Sequence, residues 1–261
     1  MIALYTASEA ERNAGFIEEL RKHCGAELVT WDDWSESGVG KLAEQLHGET
    51  VLFRVRHPFA ARILEDAGVR LVNRAEVNRV ANDKWTSFEL MQLIGLPAVP
   101  TFREPPGFPC VAKPRGGHGG EGVEIWESPQ GETAGLVFQP FVEHTADVRA
   151  YVIGDEAAGA VKRSGVESFK ANIALGGQAE KFVLSAAQER DVLRVARALK
   201  SDYIGVDFLL LPDGRHVFNE IEDPVGARAF YKTHEVNIAE LLGRYLRDKE
   251  ARGWRWTDDR L

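Results

Sequence analysis

The chain is expected to be a mixed α/β and α+β protein, and three features predict this. Over residues 1–73, short apolar or β-branched runs alternate with amphipathic stretches, the pattern of βαβ units around a parallel sheet. Beyond residue 97 the texture changes to short strands separated by turn residues, with helices only at intervals. With 261 residues, 44% of them hydrophobic, the chain can bury a sizeable core as one large domain or a few small ones.

The elements follow in order. "IALYT" predicts a strand, and Phe16, Ile17 and Leu20 recur at helical spacing in "EAERNAGFIEELRKH". "AELVTW" returns as a second strand, followed by a helix at about Val39 to Leu46. "TVLFRVR", the helix "PFAARILEDAG" and "VRLVN" complete a small α/β unit. No glycine cluster follows its first strand, so its default role is structural or substrate-facing. "AEVNRVANDKWTSFELMQLIG" predicts a helical region stopped by Gly95 and Pro97. The strands "AVPTF", "PCVAKP", "GVEIW", "LVFQPFV", "DVRAYVIG" and "AAGAVKRS" come next. The helix "AAQERDVLRVARALK" precedes two strands, "YIGVDFLLL" and "HVFNEIE", joined by the hairpin signal "PDGR". A last helix is expected from Glu235 to Lys249, and the tail "ARGWRWTDDRL" shows no periodicity.

Charge narrows the partners. Forty acidic against 32 basic residues leave a formal charge of −8, which repels a nucleic-acid backbone or an anionic membrane. Any anionic ligand must then be attracted by local positive charge. Cys24 and Cys110 are too few for a disulfide framework or a CxxC metal site, which suits a reducing cytoplasm. No segment reaches the length of an apolar membrane span, and the N-terminus lacks the basic and apolar regions of a signal sequence.

Three constellations could carry chemistry. In "CVAKPRGGHGGEGVEIW", Gly117, Gly119 and Gly122 formally satisfy GxGxxG, yet a strand follows instead of the helix that a dinucleotide site requires. A strand, glycine loop and strand make a flap whose N–H groups can close over phosphates, with Lys113 adding positive charge; a plain mobile hairpin tip is the other reading. Glu220 and Glu222 share strand parity, and the hairpin can bring Asp207 beside them. Three carboxylates in one small volume call for a cation, and Mg²⁺ fits because it takes carboxylate oxygens and substrate phosphates; a solvated strand end is the alternative. Lys84, Lys113, Arg149, Arg163 and Lys170 together make an anion pocket plausible, although singly each suits a surface ion pair. Arg149 shares parity with Tyr151 and Ile153, which would aim it inward.

The order of "NDKWTSFELMQLIGLPAVPTF", "CVAKPRGGHGGEGV", "FQPFVE", "DVRAYVIG", "KRSG", "FKANIALGG", "YIGVDFLL" and "VFNEIEDPVG" resembles the ATP-grasp superfamily, in its RimK-like branch of ribosomal-protein glutamate ligases. The resemblance spans about Asn73 to Tyr245. It implies a Rossmann-like pre-ATP-grasp domain at 1–73 and an N-terminal ATP-grasp subdomain with the flap at 74–140. A C-terminal subdomain with the metal site would follow at 141–250, then a tail at 251–261. It further implies that Lys84, Lys113, Asp147 and the flap glycines Gly117, Gly119, Gly120 and Gly122 bind ATP. Gln139, Pro140, Phe141 and Val142 would form the adenine hinge. Asp207, Glu220 and Glu222 fall on magnesium positions, expected to hold two Mg²⁺ ions or Mn²⁺ in their place. Arg149, Arg163 and Asn172 would face the transferred phosphate and the reacting carboxylate. Two positions depart from the family pattern: Glu222 stands where an Asn is common, and Pro140 where the hinge often has Glu.

The resemblance implies an ADP-forming ligase that phosphorylates a small-molecule or peptide carboxylate and passes the acyl group to an amine. A phosphotransferase and a non-catalytic ATP-binding module are the rival readings; ADP release that requires an amine, or its absence altogether, separates them. Arg228, Tyr231, Lys232 and His234 could line the acceptor site or form a plain surface loop, and His118 at the flap tip could approach substrate, although facing water is the expected reading. Relatives of this kind are frequently homo-oligomers.

Overall fold

A computed structural model describes residues 1–164 and 178–253. The N-terminal unit runs β1 (Ile2–Tyr5), α1 (Ala7–Arg12), α2 (Ala14–Cys24), β2 (Glu27–Thr30), α3 (Glu36–Leu46), β3 (Thr50–Phe53), α4 (Pro58–Asp66) and β4 (Arg70–Val72). Its sheet is wholly parallel, in the order β2-β1-β3-β4. The first expected helix is two, because Asn13 closes α1, and its side chain donates to the Glu9 carbonyl at 2.7 Å. Leu42, Leu46, Val51, Phe53 and Leu64 fill the core on one face of this sheet.

The next region also divides, into α5 (Ala75–Ala81) and α6 (Lys84–Leu93). Asp83 causes the break: its carboxylate accepts the N–H groups of Trp85 and Thr86 at 2.9 and 3.1 Å and caps α6. The strand expected at "AVPTF" does not form. Residues 98 and 102 make single bridges, Ala98 to Phe218 and Phe102 to Phe138, since Pro97 and Pro100 cannot donate to a continuous ladder.

Two antiparallel sheets follow. β5 (Cys110–Pro114), β6 (Glu124–Trp126) and β7 (Leu136–Pro140) pair in the order β6-β5-β7. β8 (Ala146–Ile153), β9 (Glu156–Ser164), β10 (Gln178–Phe182), β11 (Tyr203–Leu210) and β12 (His216–Glu222) form the larger sheet, in the order β10-β9-β8-β11-β12. α7 (Ala186–Leu199), opened by a Ser185/Gln188 capping box, packs on one face, where Val148, Ala150, Ile204, Val206 and Phe218 are buried. The opposite face carries Tyr151, Ile153 and Val161 against the N-terminal unit, α8 (Arg228–Thr233) and α9 (Ile238–Ala251). β10 and α8 were not foreseen: QAEKF has little apolar alternation, and a six-residue helix is too short to show a period. Among the described residues no helix is long and apolar enough to cross a membrane.

Candidate active site

A cavity of about 410 Å³ lies between the flap sheet, the five-stranded sheet and the carboxyl ends of β1 and β3. Eight Arg and Lys residues line it against six Asp and Glu. A chain of charge −8 thus concentrates positive charge at one place. The cavity meets the N-terminal sheet between β1 and β3, where the chain reverses its direction of winding, the usual position for a ligand in an open parallel sheet.

The acidic strand owes its shape to a β-bulge. Asp207 pairs with Glu220 and Phe208 with Phe218, which leaves Asn219 as an extra residue. The side chains of Phe218 and Ile221 enter the core, while Asn219, Glu220 and Glu222 line the cavity. Asp223 goes elsewhere. It is buried, and its carboxylate accepts Asn73 Nδ2 at 2.8 Å and Asn78 Nδ2 at 3.0 Å. The acids crowded together in the sequence therefore divide into two groups, one facing the cavity and one locking the fold.

Arg149, Asp147 and Tyr151 share a face of β8, as strand parity predicts. Arg149 donates through Nε and Nη2 to Asp207 at 2.7 and 2.6 Å, and through Nη2 to Glu222 at 2.6 Å. Arg163, opposite Asp147 in register, donates to Asp147 at 2.8 Å and to Asp207 at 2.7 Å. Burial alone would raise the Asp207 pKa, but Arg149 and Arg163 outweigh it and hold the carboxyl at about 2. Gly205 makes room for this arrangement: a Cβ there would stand 2.7 Å from Val225 Cγ2 and 3.1 Å from Glu222 Cβ.

Lys113 and Lys84 converge on Glu220 Oε1, at 3.8 and 3.9 Å. Lys113 also reaches Asn219 Oδ1 at 3.3 Å, and Lys84 donates to the Gly117 carbonyl at 2.8 Å, tying the glycine loop to the floor. Burial pulls the Lys113 ammonium below its usual pKa, with Glu220 pulling the other way. The loop, residues 115–123, joins antiparallel β5 and β6, with Gly119 and Gly120 lining the cavity and Gly122 close to Pro114. Its base is held by Arg115, which donates to Asp83 at 2.5 Å.

At the other end, Gln139, Pro140, Phe141 and Val142 line the cavity beside the apolar Val99, Val111 and Leu209. The Gln139 side chain donates to Thr101 Oγ1 at 3.0 Å. Pro140, the last residue of β7, stands opposite Cys110. Of the acceptor candidates, Arg228 reaches the cavity, whereas the Tyr231 hydroxyl bonds Asn237 at 2.9 Å and His234 stacks on Phe230. His118, expected in water, lines the cavity. Asn172 and Lys170 lie outside the described residues. The sequence reading missed Tyr5, Arg54, Arg56 and Asn219. Arg54 is buried among the rings of Tyr5, Phe16 and Tyr203 and donates to the Val225 carbonyl at 2.6 Å, while Arg56 stands 3.6 Å from Glu222. Two arginines directly after an apolar strand were the available signal.

Among the described residues no group of three His, Cys, Asp or Glu stands assembled as a metal cage. The donor set nonetheless suits Mg²⁺, which needs only one or two carboxylates when substrate phosphates complete its shell. Asp207 and Glu220 are register partners on adjacent strands, and Glu220 meets its lysines beyond hydrogen-bond reach, at 3.8 and 3.9 Å. Its oxygens remain open to the cavity.

A glycine flap over a charged cavity, set between two antiparallel sheets beside a small parallel one, is the architecture of the ATP-grasp fold. The RimK-like ATP-grasp domain matches residues 106–246, more than half of the chain, and the protein belongs to that family. It is 28% identical to a probable alpha-L-glutamate ligase of Haemophilus influenzae over 70% of this chain and 69% of that one. Identity to the uncharacterized protein MG011 of Mycoplasma genitalium is also 28%, over 92% of this chain and 89% of the relative. In fold it is similar to the ATP-grasp ligase PsnB, solved with its minimal precursor, Mg and ADP, at a TM-score of 0.67 and 18% identity, covering 96% and 98% of the two chains.

Proposed function

We propose that the protein transfers the γ-phosphate of ATP to a carboxylate and couples the resulting acylphosphate to an amine, releasing ADP and phosphate. The observation that carries this reading is the meeting of Lys84 and Lys113 on Glu220 beside the Arg149–Asp207–Arg163 cluster, under the glycine flap. In this reading the units are 1–73, 74–140 and 141–250, with a tail at 251–261. The apolar walls at Val99, Val111 and Leu209, with residues 139–142, hold adenine, and Lys84, Lys113, Asp147, Gly117, Gly119, Gly120 and Gly122 serve the phosphates.

Asp207, Glu220 and Glu222 are the residues that would hold one or two Mg²⁺ ions. Bound there, the ions would neutralise phosphate charge and orient the phosphates for in-line transfer. Arg149 and Arg163 supply fixed positive charge where a carboxylate must approach a triphosphate, anion against anion. Asn172 belongs to the same proposal. The arginine-rich end, with Arg54, Arg56 and Arg228, receives the carboxylate-bearing substrates. The reaction is proposed to take place in the cytoplasm.

The test is release of ADP from Mg-ATP with L-glutamate as amine and a panel of N-acetylated amino acids and N-acetylated peptides as carboxylates. These offer carboxylates without a competing amine, and mass spectrometry identifies the product. ADP release that requires both partners is the expected result. Release without an amine would favour a phosphotransferase, and no release with any pair would leave a binding module.

A further inference from the structure

The proposed reaction leaves one task without a residue. An amine enters at neutral pH as an ammonium, which has no lone pair and must lose a proton before it attacks. Lys84 donates to Gly117, and Lys113 reaches Asn219 and faces Glu220. The arginines stay protonated, Asp207 is held at about 2 by Arg149 and Arg163, and Asp147 is engaged by Arg163 at 2.8 Å. His144 stands two residues beyond Val142, at the end of the cavity proposed to hold adenine, away from the phosphates.

His118 is different. It sits at the flap tip between two glycines whose φ angles, +113° and +67°, turn the loop back over the cavity. It lines both the main cavity and the small space behind it, which is shared with Arg56, Lys84, Glu220 and Glu222. Among the described residues its ring makes no hydrogen bond.

We infer that His118 is the base that takes the proton from the attacking amine, an inference that rests on the ligase reading of this cavity. The charged groups facing it are Arg56, Glu222, Glu9 and Glu121. Burial, with Arg56 adding to it, pulls the imidazole below its ordinary pKa, the direction that favours the proton-accepting form. In the step, one ammonium proton passes to an imidazole nitrogen and the freed lone pair forms the C–N bond at the acyl carbon. The acyl C–O bond to phosphate then breaks, and a second proton leaves with the phosphate. The flap that covers the nucleotide thereby also carries the base for the second half of the reaction.

Hydroxylamine separates this role from every other, because it is largely unprotonated at pH 7 and attacks an acylphosphate without a base. The experiment compares the intact protein with His118→Ala, using Mg-ATP and the N-acetylated panel, with L-glutamate or hydroxylamine as acceptor. Amide formation is expected to fall about 100-fold in His118→Ala while hydroxamate formation stays within a few-fold. The acidic limb of the amide pH profile should disappear, and added imidazole should restore part of the rate. Equal losses with both acceptors, or an unchanged amide rate, would overturn the inference and leave the ligase reading standing. Failure of the unsubstituted protein to form hydroxamate from any carboxylate would sink both.

Discussion

Asp207 is the buried charge on which the cavity is organised. Its two oxygens take three hydrogen bonds from Arg149 and Arg163, so Asp207→Asn removes the charge the two guanidiniums share, leaving Arg149 to Glu222 and Arg163 to Asp147, and sets an amide N–H₂ against buried donors. Stability should fall by about 3–5 kcal/mol, read as a lower urea midpoint. The pH dependence has a defined sign. A carboxyl held at about 2, below its ordinary 3.8, stabilises the fold fully above the ordinary value and loses that contribution as pH falls through the lower one. Removing the carboxylate should therefore flatten the acid limb of stability between about pH 4 and 2, by about 2 kcal/mol. Gly205 gives a steric test beside it. Gly205→Ala places a methyl 2.7 Å from Val225 Cγ2 and 3.4 Å from Arg149 Cδ, and overpacking of this kind costs about 1–3 kcal/mol.

Single elements explain why strand parity was informative on β8 and incomplete on β12. An alternation rule presumes an unbroken ladder, and β8 satisfies it through Asp147, Arg149 and Tyr151. On β12 the bulge inserts Asn219, so a residue that parity assigns to the other face enters the cavity beside Glu220. The flap depends on a comparable local device. Lys84, the first residue of α6, holds the Gly117 carbonyl, and the Asp83 cap holds Arg115. Lys84→Met should weaken Mg-ADP binding about tenfold or more, by calorimetry, and speed amide exchange in residues 115–123. Asp83→Ala should cost α6 about 1 kcal/mol through the lost cap and loosen the same loop.

Across the whole molecule, the N-terminal unit is a wall of the cavity as well as a support. Asn73, Asn78 and Asn82 all bond to Asp223, two to its carboxylate and one to its carbonyl. The carbonyls of Pro224 and Val225 in turn hold Arg56 and Arg54. Asp223 thus couples the end of β12 to the arginines that follow β3. Asp223→Ala leaves Asn73 and Asn78 each one buried N–H short of an acceptor, with their bonds to the Tyr203 and Val55 carbonyls kept, and should destabilise the fold by about 3 kcal/mol, read from thermal or urea unfolding. Composition and periodicity were sufficient to predict the α/β unit, the flap and the hairpin, and strand parity the inward aim of Arg149 and the placing of Glu220 beside Asp207, because each expresses a period or a local pattern; that Lys84, Lys113 and Arg163 stand beside them in one cavity was an expectation from the family resemblance. Tertiary packing alone decided that Asp223 leaves the acidic cluster, that Asn219 and His118 turn inward, and that Arg54 and Arg56 reach across from β3. The placing of Asp223, Arg54 and Arg56 depends on pairings between residues 100 or more positions apart, such as Asn73 with Asp223 and Arg54 with Val225, and local sequence holds no record of which distant group will be the partner.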